Sequence, residues 1–389
     1  MNKPRILLAG IGGYGANYLR EFLDAKDPQF VFSAVADPFA QSSPRFNELK
    51  ERGIQAFKTP DEFFAAGGKA ELTVIAAPIH THYPYTAACF KNGSSVLCEK
   101  PVTGDLARLD DLIKLEKNSG LFCAVGFQAC FAHDSRELKK DILAGLFGKP
   151  VAFKSHNLTR RGDQYYGRNN WAGKLRIDGE TILDSPLNNG CSHDLQLMLF
   201  LLGNKINCSV EINSAEIELW QGRPDIENFD AAALKIKTVT DVQVLYYTAH
   251  CVEITGTGAE GDFLFEKARI TRSPESLASF KAVFNDGSTK TYAESSEENN
   301  RHTMEKFYDS LEALKTGVPP VCTLETVRTH LKCVEMAAKT PVRKAPEDKL
   351  ATGINEKDGD RFYYIPGLSQ AFFKGYAENK LPSETGFKV

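Results

Sequence analysis

Short apolar runs alternate with segments of helical period through the first third of the chain. Ile6–Ala9, Val31–Ala36, Leu72–Ala77, Ser95–Cys98 and Leu121–Gly126 have the length and texture of buried strands. Amphipathic segments follow them, as with Tyr18, Leu19, Phe22 and Leu23, whose spacing places all four on one helix face. Strand–helix alternation predicts βαβ units and a doubly wound parallel sheet, an α/β domain over residues 1–148. The turn cluster Phe147-Gly148-Lys149-Pro150 closes it.

The texture then changes. A strand over Val151–Leu158 leads into a polar, aromatic loop, Arg160 to Ile182, and an apolar helix over Cys191–Leu202. Val210–Trp220, Ala231–Val239, Val242–His250, Gly261–Glu266 and Lys281–Phe284 alternate or are β-branched and are joined by Asn/Gly/Asp turns. Successive strands of this kind predict an α+β domain over residues 149–340 with a large, mainly antiparallel sheet. Glu297–Thr316 and Leu324–Ala338 read as helices able to pack on either domain. Residues 341–389, with Phe362-Tyr363-Tyr364 and Phe372-Phe373, read as an ordered tail lying on the domains or on a neighbouring subunit.

Composition narrows the function. The 389 residues are 42% hydrophobic and 25% charged, the balance of an ordinary globular chain, and the length suits two or three domains, of which the motifs and the turn near Pro150 mark two. A formal net charge of −3 supplies no global basic surface, so nucleic acid is not expected as a partner. No apolar run approaches the ~18 residues of a membrane span. The opening Met1-Asn2-Lys3-Pro4-Arg5 has no signal-peptide pattern, so a cytoplasmic location is expected. The 9 cysteines form no Cys-x-x-Cys pair and no zinc-ligand spacing, so they read as reduced core residues, with no metal expected.

Candidate chemistry begins directly after the first strand. Gly10-Ile11-Gly12-Gly13-Tyr14-Gly15 is a G-x-G-x-x-G turn between a strand and a helix. In that setting the glycines permit a tight turn, close backbone approach to a pyrophosphate and close helix–sheet packing. The helix start turns its unsatisfied N–H groups to the phosphates. Asp37 ends the second strand, 22 residues after Gly15, where a carboxylate accepts bonds from the adenosine ribose hydroxyls. It could also serve only as a turn former before Pro38. An acid followed by Pro38 and Phe39 selects NAD over NADP, because a 2′-phosphate would be repelled. Arg45 is the residue able to overturn that preference.

Two further strands end in chemistry-bearing residues. Leu72–Ala77 runs into Pro78-Ile79-His80-Thr81-His82, and Ser95–Cys98 into Glu99-Lys100-Pro101. Ligands of open parallel sheets bind at such carboxyl ends. Together with Gly10–Gly15, Val125-Gly126-Phe127, and Asn189-x-x-x-His193 before Leu201-Leu202-Gly203, these motifs resemble the Gfo/Idh/MocA family of oxidoreductases over roughly residues 4–340. The resemblance implies an N-terminal Rossmann domain and a C-terminal open-faced sheet of the kind used to build homo-dimers or homo-tetramers. It also implies Lys100 as catalytic lysine, Glu99 near the nicotinamide ribose, Asn189 at the family's catalytic acidic position and His193 as its histidine. Ala77, Pro78, His80 and His82 join the cofactor contacts.

Two departures from the pattern matter. Relatives resembling inositol dehydrogenase carry Asp where this chain has Asn189, and often an acid at Gln196. Asn189 cannot relay a proton and is left to orient a hydroxyl or a neighbouring side chain. The arginine often found after Gly-Phe-Asn is replaced in Gly126-Phe127-Gln128-Ala129-Cys130, where Gln128 can still hydrogen-bond the nicotinamide or substrate.

The loop Arg160–Lys174 interleaves Arg, Asn and Asp with Tyr165, Tyr166 and Trp171. That composition suits an uncharged polyhydroxylated ring, with Arg168 and Trp171 as preferred contacts; a subunit-contact or tail-packing loop is the alternative. The expected activity is transfer of a hydride between NAD and a secondary hydroxyl or ketone of a sugar, cyclitol or glycoside. His193 would accept the hydroxyl proton while Lys100 stabilises the developing alkoxide. The alternatives are transient oxidation of a glycoside by tightly bound NAD, and a non-catalytic NAD- or sugar-sensing protein on the same fold.

Overall fold

The computed structural model describes residues 3–388 apart from 27, 257, 273, 275–278 and 293–303. The first elements along the chain are β1 (Arg5–Ala9), α1 (Gly15–Asp24), β2 (Val31–Ala36), α2 (Phe46–Glu51), β3 (Gln55–Phe57), α3 (Pro60–Ala65), β4 (Leu72–Ile75), α4 (Ile79–Lys91), β5 (Ser95–Cys98), α5 (Leu106–Ser119), β6 (Cys123–Val125) and α6 (Gln128–Phe131). Next come α7 (His133–Leu143), β7 (Pro150–Leu158), α8 (Asp163–Gly167), β8 (Arg176–Ile177), β9 (Glu180–Thr181) and α9 (Ser192–Leu201). Strands β10 (Ile212–Gln221), β11 (Ala231–Thr238), β12 (Gln243–Ala249), β13 (Glu260–Phe265), β14 (Ala268–Arg272), β15 (Phe280–Phe284) and β16 (Thr289–Tyr292) follow. The chain closes with α10 (Glu305–Thr316), α11 (Leu324–Ala338), β17 (Val342–Lys344), β18 (Ala351–Ile354), β19 (Arg361–Tyr364) and α12 (Leu368–Glu378). Residues 297–303 of the expected penultimate helix lie outside the described residues. The elements form two compact units, one of residues 1–131 and 300–327, the other of 132–299 and 328–389.

In the first unit six parallel strands stand in the order β3-β2-β1-β4-β5-β6. This is the doubly wound sheet read from the apolar runs. Ile6, Leu7, Leu8 and Ala9 are all fully buried, as a strand covered on both faces requires. Strand β3 escapes sequence reading because its three residues, Gln55-Ala56-Phe57, carry no apolar run. The order reverses between β1 and β4, which places the switch point beside the glycine turn.

In the second unit nine strands form one mixed sheet, β16-β15-β14-β13-β7-β12-β11-β10-β17, parallel only at β7–β12 and β10–β17. Consecutive tyrosines on β12 show its two faces. Tyr246 donates to the Cys191 carbonyl beside α9, and Tyr247 packs with Leu368 and Phe372 of the chain's last helix. Tail residues Ile365, Leu368, Phe372 and Leu381 thus share a buried cluster with Trp220, Ala233, Tyr247 and Ala249. The tail lies on its own chain's sheet. Over β13–β16 the same face is open, with Leu264, Arg269, Thr271, Lys281 and Val283 exposed in alternation with buried Phe263, Ile270 and Ala282.

Helix α9 is buried along almost its whole length, including Asp194, which pairs with the buried Arg272. Its C-terminal carbonyls are satisfied by Lys139 of α7, a fully buried lysine whose Nζ donates to the carbonyls of Phe200 and Gly203. Among the described residues no helix is long and apolar enough to cross a membrane.

Candidate functional site

In the first unit the chain leaves β1 through a turn that only glycine permits at two points. Gly10 has φ +86°, and a Cβ there would stand 2.6 Å from the Ala77 nitrogen at the end of β4. A Cβ at Gly15 would meet the Gly10 carbonyl oxygen at 2.1 Å. Gly12 and Gly13 by contrast face open space. Helix α1 begins after Tyr14 with no side-chain cap and no acidic residue in its first turn. Its N–H groups and positive dipole end are therefore suited to a phosphate, and the turn fits a dinucleotide. Gly15→Ala is expected to weaken NADH binding about 10- to 100-fold by forcing the turn apart. A fluorescence titration with unchanged affinity would overturn that assignment.

Asp37 stands at the end of β2 and accepts the Ile11 N–H at 2.9 Å and the Phe39 N–H at 2.8 Å. It orders both the glycine turn and its own turn. Arg45 is taken up by Asp24 at 2.6 Å and Glu48 at 2.7 Å. His82 is buried, with ring nitrogens 2.8 Å from the carbonyls of Ala77 and Pro101; it braces the ends of β4 and β5 from behind. Burial holds its pKa below the ordinary histidine value. Pro78 and His80 sit at the start of α4, and Lys100 is half-buried just past β5.

Glu99 sits in a cluster that local sequence did not announce. Tyr18 donates to it at 2.8 Å, and the fully buried Lys306 of α10 forms a short ion pair with it. Lys306 also lies 3.1 Å from the Tyr14 hydroxyl and 4.6 Å from that ring's centre. Tyr14 in turn donates to Gln128 at 3.0 Å. Burial opposes the Lys306 charge, but Glu99 and Tyr14 hold its pKa above the ordinary lysine value. The structure thus brings Tyr14, Glu99 and Gln128 together around a lysine 207 residues away from Glu99 in the chain.

In the second unit Asn189 lies in a wide π-helical turn, Pro186–Gly190, and His193 in the first turn of α9 that follows. Ser185 starts the turn by accepting the Asn188 N–H at 3.2 Å. Asn189 donates its Nδ2–H to Asp184 at 2.7 Å, and the other Asp184 oxygen accepts the Gly173 N–H at 2.7 Å. The Arg160–Lys174 loop is thereby tied to the turn that carries Asn189. Arg168 stacks over Tyr165 at 3.5 Å and lies 5.0 Å from the Trp171 ring, so the two preferred contacts are neighbours.

Behind them is a second cluster that the sequence did not reveal. The Tyr166 hydroxyl lies 3.1 Å from Nδ1 of the buried His250, and burial with Arg161 and Arg168 keeps that histidine neutral. The far side of the loop is held by the tail. Asp163 pairs with Arg223 and Arg361, each at 2.8 Å, and Arg160 lies 3.9 Å above the Phe362 ring. Burial opposes the Asp163 charge, but the two guanidinium groups hold its pKa below the usual carboxylate range.

The parallel sheet in 3-2-1-4-5-6 order and the glycine turn at its switch point define an NAD-binding Rossmann protein. Residues 4–127 match the model of the GFO_IDH_MocA oxidoreductase family, described as having an NAD-binding Rossmann fold. It is 24% identical over 204 residues to a myo-inositol 2-dehydrogenase of Thermotoga maritima, covering 52% of this chain and 56% of that protein. It is 32% identical over 150 residues to the rhizopine catabolism protein MocA of Rhizobium meliloti, covering 38% of this chain and 45% of that one. The chain therefore spans about half the length of these curated relatives. Among solved structures it resembles the WlbA dehydrogenase of Bordetella pertussis, in complex with NADH and UDP-GlcNAcA, with TM-score 0.69 and 18% identity over 87% of this chain and 97% of that one. The aldose-aldose oxidoreductase of Caulobacter crescentus gives TM-score 0.69 and 16% identity over the same shares. At such identities the structures speak for the fold.

Proposed function

We propose that this chain is an NAD-dependent oxidoreductase acting on a secondary CH–OH group of a sugar, cyclitol or glycoside. The observation that carries the reading is Glu99-Lys100-Pro101 at the carboxyl end of β5, in a Rossmann unit whose family match covers residues 4–127. The names of relatives, inositol dehydrogenases among them, support a polyhydroxylated substrate.

Bound NAD supplies the hydride acceptor. The chain's own residues deal with the proton and the charge. His193 takes the hydroxyl proton as the carbon loses its hydride. The Lys100 ammonium lowers the energy of the developing alkoxide, and the product is the ketone. Asn189 orients the hydroxyl, while Arg168 and Trp171 hold the ring. NAD is preferred to NADP because Asp37 occupies the ribose end of the turn and Arg45, engaged by Asp24 and Glu48, is not offered to a 2′-phosphate. A homo-oligomer built through the large sheet would use the open face of β13–β16, since the tail covers the rest.

The test is a panel of cyclitols, sugars and glycosides assayed for NAD reduction. Net NADH formation with at least one polyol is expected. Cofactor that co-purifies and turns over with no net NADH would favour the transient-oxidation reading. NAD binding with no turnover on any polyol would favour a sensor and end the proposal.

A further inference from the structure

The Arg160–Lys174 loop carries Arg160, Arg161 and Arg168 against one carboxylate, Asp163. That carboxylate is taken by Arg223 and Arg361, each at 2.8 Å, and Arg223 also holds Asp225 at 2.7 Å. Glu227 pairs with Lys174 at 2.9 Å, and Asp184 accepts from the Gly173 N–H and from Asn189. Arg160 donates to the Glu253 carbonyl at 3.1 Å and lies over the Phe362 ring. Arg161 and Arg168 remain, and neither forms an ion pair among the described residues.

Both of these cations lie on one aromatic ring. The guanidinium carbon of Arg168 is 3.5 Å from the centre of the Tyr165 ring, and that of Arg161 is 4.8 Å from it. Stacking holds a guanidinium by its face and leaves its in-plane N–H groups able to donate. Arg168 uses one of them on the Tyr165 carbonyl. Arg161 is anchored by its backbone, whose N–H donates to the His250 carbonyl at 3.2 Å. Its Nε is buried with no hydrogen-bond acceptor among the described residues. A buried charged donor is costly to leave unpaired, and an anionic oxygen is the acceptor that suits it best. The positive field reaches the neighbouring ring: burial first, and then Arg161 and Arg168, push the His250 pKa well below the ordinary histidine value. Tyr165 also places the pair beside the turn that carries Asn189. A Cβ on Gly190 would stand 3.4 Å from the Tyr165 hydroxyl and 2.4 Å from Nε2 of His250.

We propose that Arg161 and Arg168, stacked on Tyr165, form a clamp for an anionic group of the substrate, a carboxylate or a phosphate. The ring is then a sugar acid or a phosphorylated sugar or cyclitol, where the loop composition alone suggested an uncharged one. The ring and its oxidised hydroxyl rest on the polyol reading above; the clamp does not. Two cations meeting one anionic group make charge-assisted bonds that a hydroxyl cannot match, so the neutral parent binds more weakly. The anion takes no part in the hydride step and only fixes where the ring sits.

The first test is calorimetric titration of the full chain with inorganic phosphate, at saturating NADH so that the glycine turn is already filled. Phosphate is expected to bind, about 10-fold or more weakly in Arg161→Met, with part of the affinity kept in Arg161→Lys, which retains the charge but not the fork. Arg168→Met, at an exposed position, should give the same loss if R161M does not fold. No phosphate binding, an adventitious ion only, or binding equally strong in R161M and R168M would overturn the clamp. The second test measures kcat/KM for NAD reduction with matched pairs: glucose with glucuronate and glucose-6-phosphate, galactose with galacturonate, and myo-inositol with its monophosphate. At least one anionic member is expected to exceed its neutral parent by about 10-fold, and R161M should remove most of that ratio. The carboxylate and phosphate arms separate the two sources of the anion. Neutral parents that outperform every anionic partner would overturn the substrate assignment. A chain that binds phosphate through Arg161 but oxidises no member of the panel would uphold the clamp and defeat the polyol reading.

Discussion

Lys306→Met is expected to lower the free energy of unfolding by about 3–5 kcal/mol, because it strands a carboxylate among apolar and aromatic neighbours. Lys306 is fully buried, and the Glu99 carboxylate with which it pairs is only 11% exposed. Tyr18 continues to donate to Glu99 in the variant, but one neutral donor does not replace an ammonium at short range. The effect extends to the cofactor turn, since Lys306 also contacts Tyr14, and Tyr14 holds Gln128. Urea unfolding at neutral pH measures the loss. The double variant E99Q/K306M removes both charges and should recover most of it, since replacing a whole buried pair costs far less than breaking it. A loss under about 1 kcal/mol for the single variant would show that the pair is not structural.

Lys100→Met should reduce turnover of the best panel substrate by about 10³-fold while NADH binding survives within a few-fold. Methionine keeps most of the length and the apolar stem of lysine but removes the ammonium. What is lost is stabilisation of charge that appears only as the hydroxyl is oxidised, so kcat falls and the cofactor Kd does not. Stopped-flow measurement of NAD reduction, beside a fluorescence titration with NADH, separates the two quantities. Turnover within about 10-fold of the wild type would remove Lys100 from the mechanism. The two variants test opposite ends of one dipeptide. Glu99 points back into the protein toward Lys306, and its neighbour is the half-buried residue past the strand end.

Much of the first unit was legible because its signals are local. Ile6–Ala9 and Ser95–Cys98 are buried on both faces, so their apolar character is uninterrupted and visible. The glycine turn is legible for a similar reason: Gly10 and Gly15 are required by contacts within one turn and with the adjacent strand end. In the second unit β14 and β16 were not read. Ala268–Arg272 alternates buried Ala268, Ile270 and Arg272 with exposed Arg269 and Thr271, and Thr289–Tyr292 buries only its last residue. An edge region with one wet face carries too few apolar positions to mark a strand.

The candidate site divides in the same way. Asn189, His193, Lys100 and Glu99 stand in short motifs. Asp184 precedes Asn189 by five residues, yet nothing in Asp184-Ser185-Pro186 distinguishes a buried hydrogen-bond partner from a turn residue. Lys306 and His250 lie far along the chain from the groups they serve. The tail was read as ordered from its aromatic residues, but its place was not: Phe372 packs near Trp220, with ring centres 5.5 Å apart, across 152 residues of chain.

By itself, then, the sequence determined the doubly wound sheet, the dinucleotide turn and the residue types offered for chemistry, since each depends on neighbours within a turn or a strand. Only the tertiary structure decided which charges are paired, which side chain the Asn189 amide meets and which face of the large sheet the tail covers. Those outcomes depend on groups brought within about 3 Å from distant parts of the chain, and burial then multiplies the energy of each such contact.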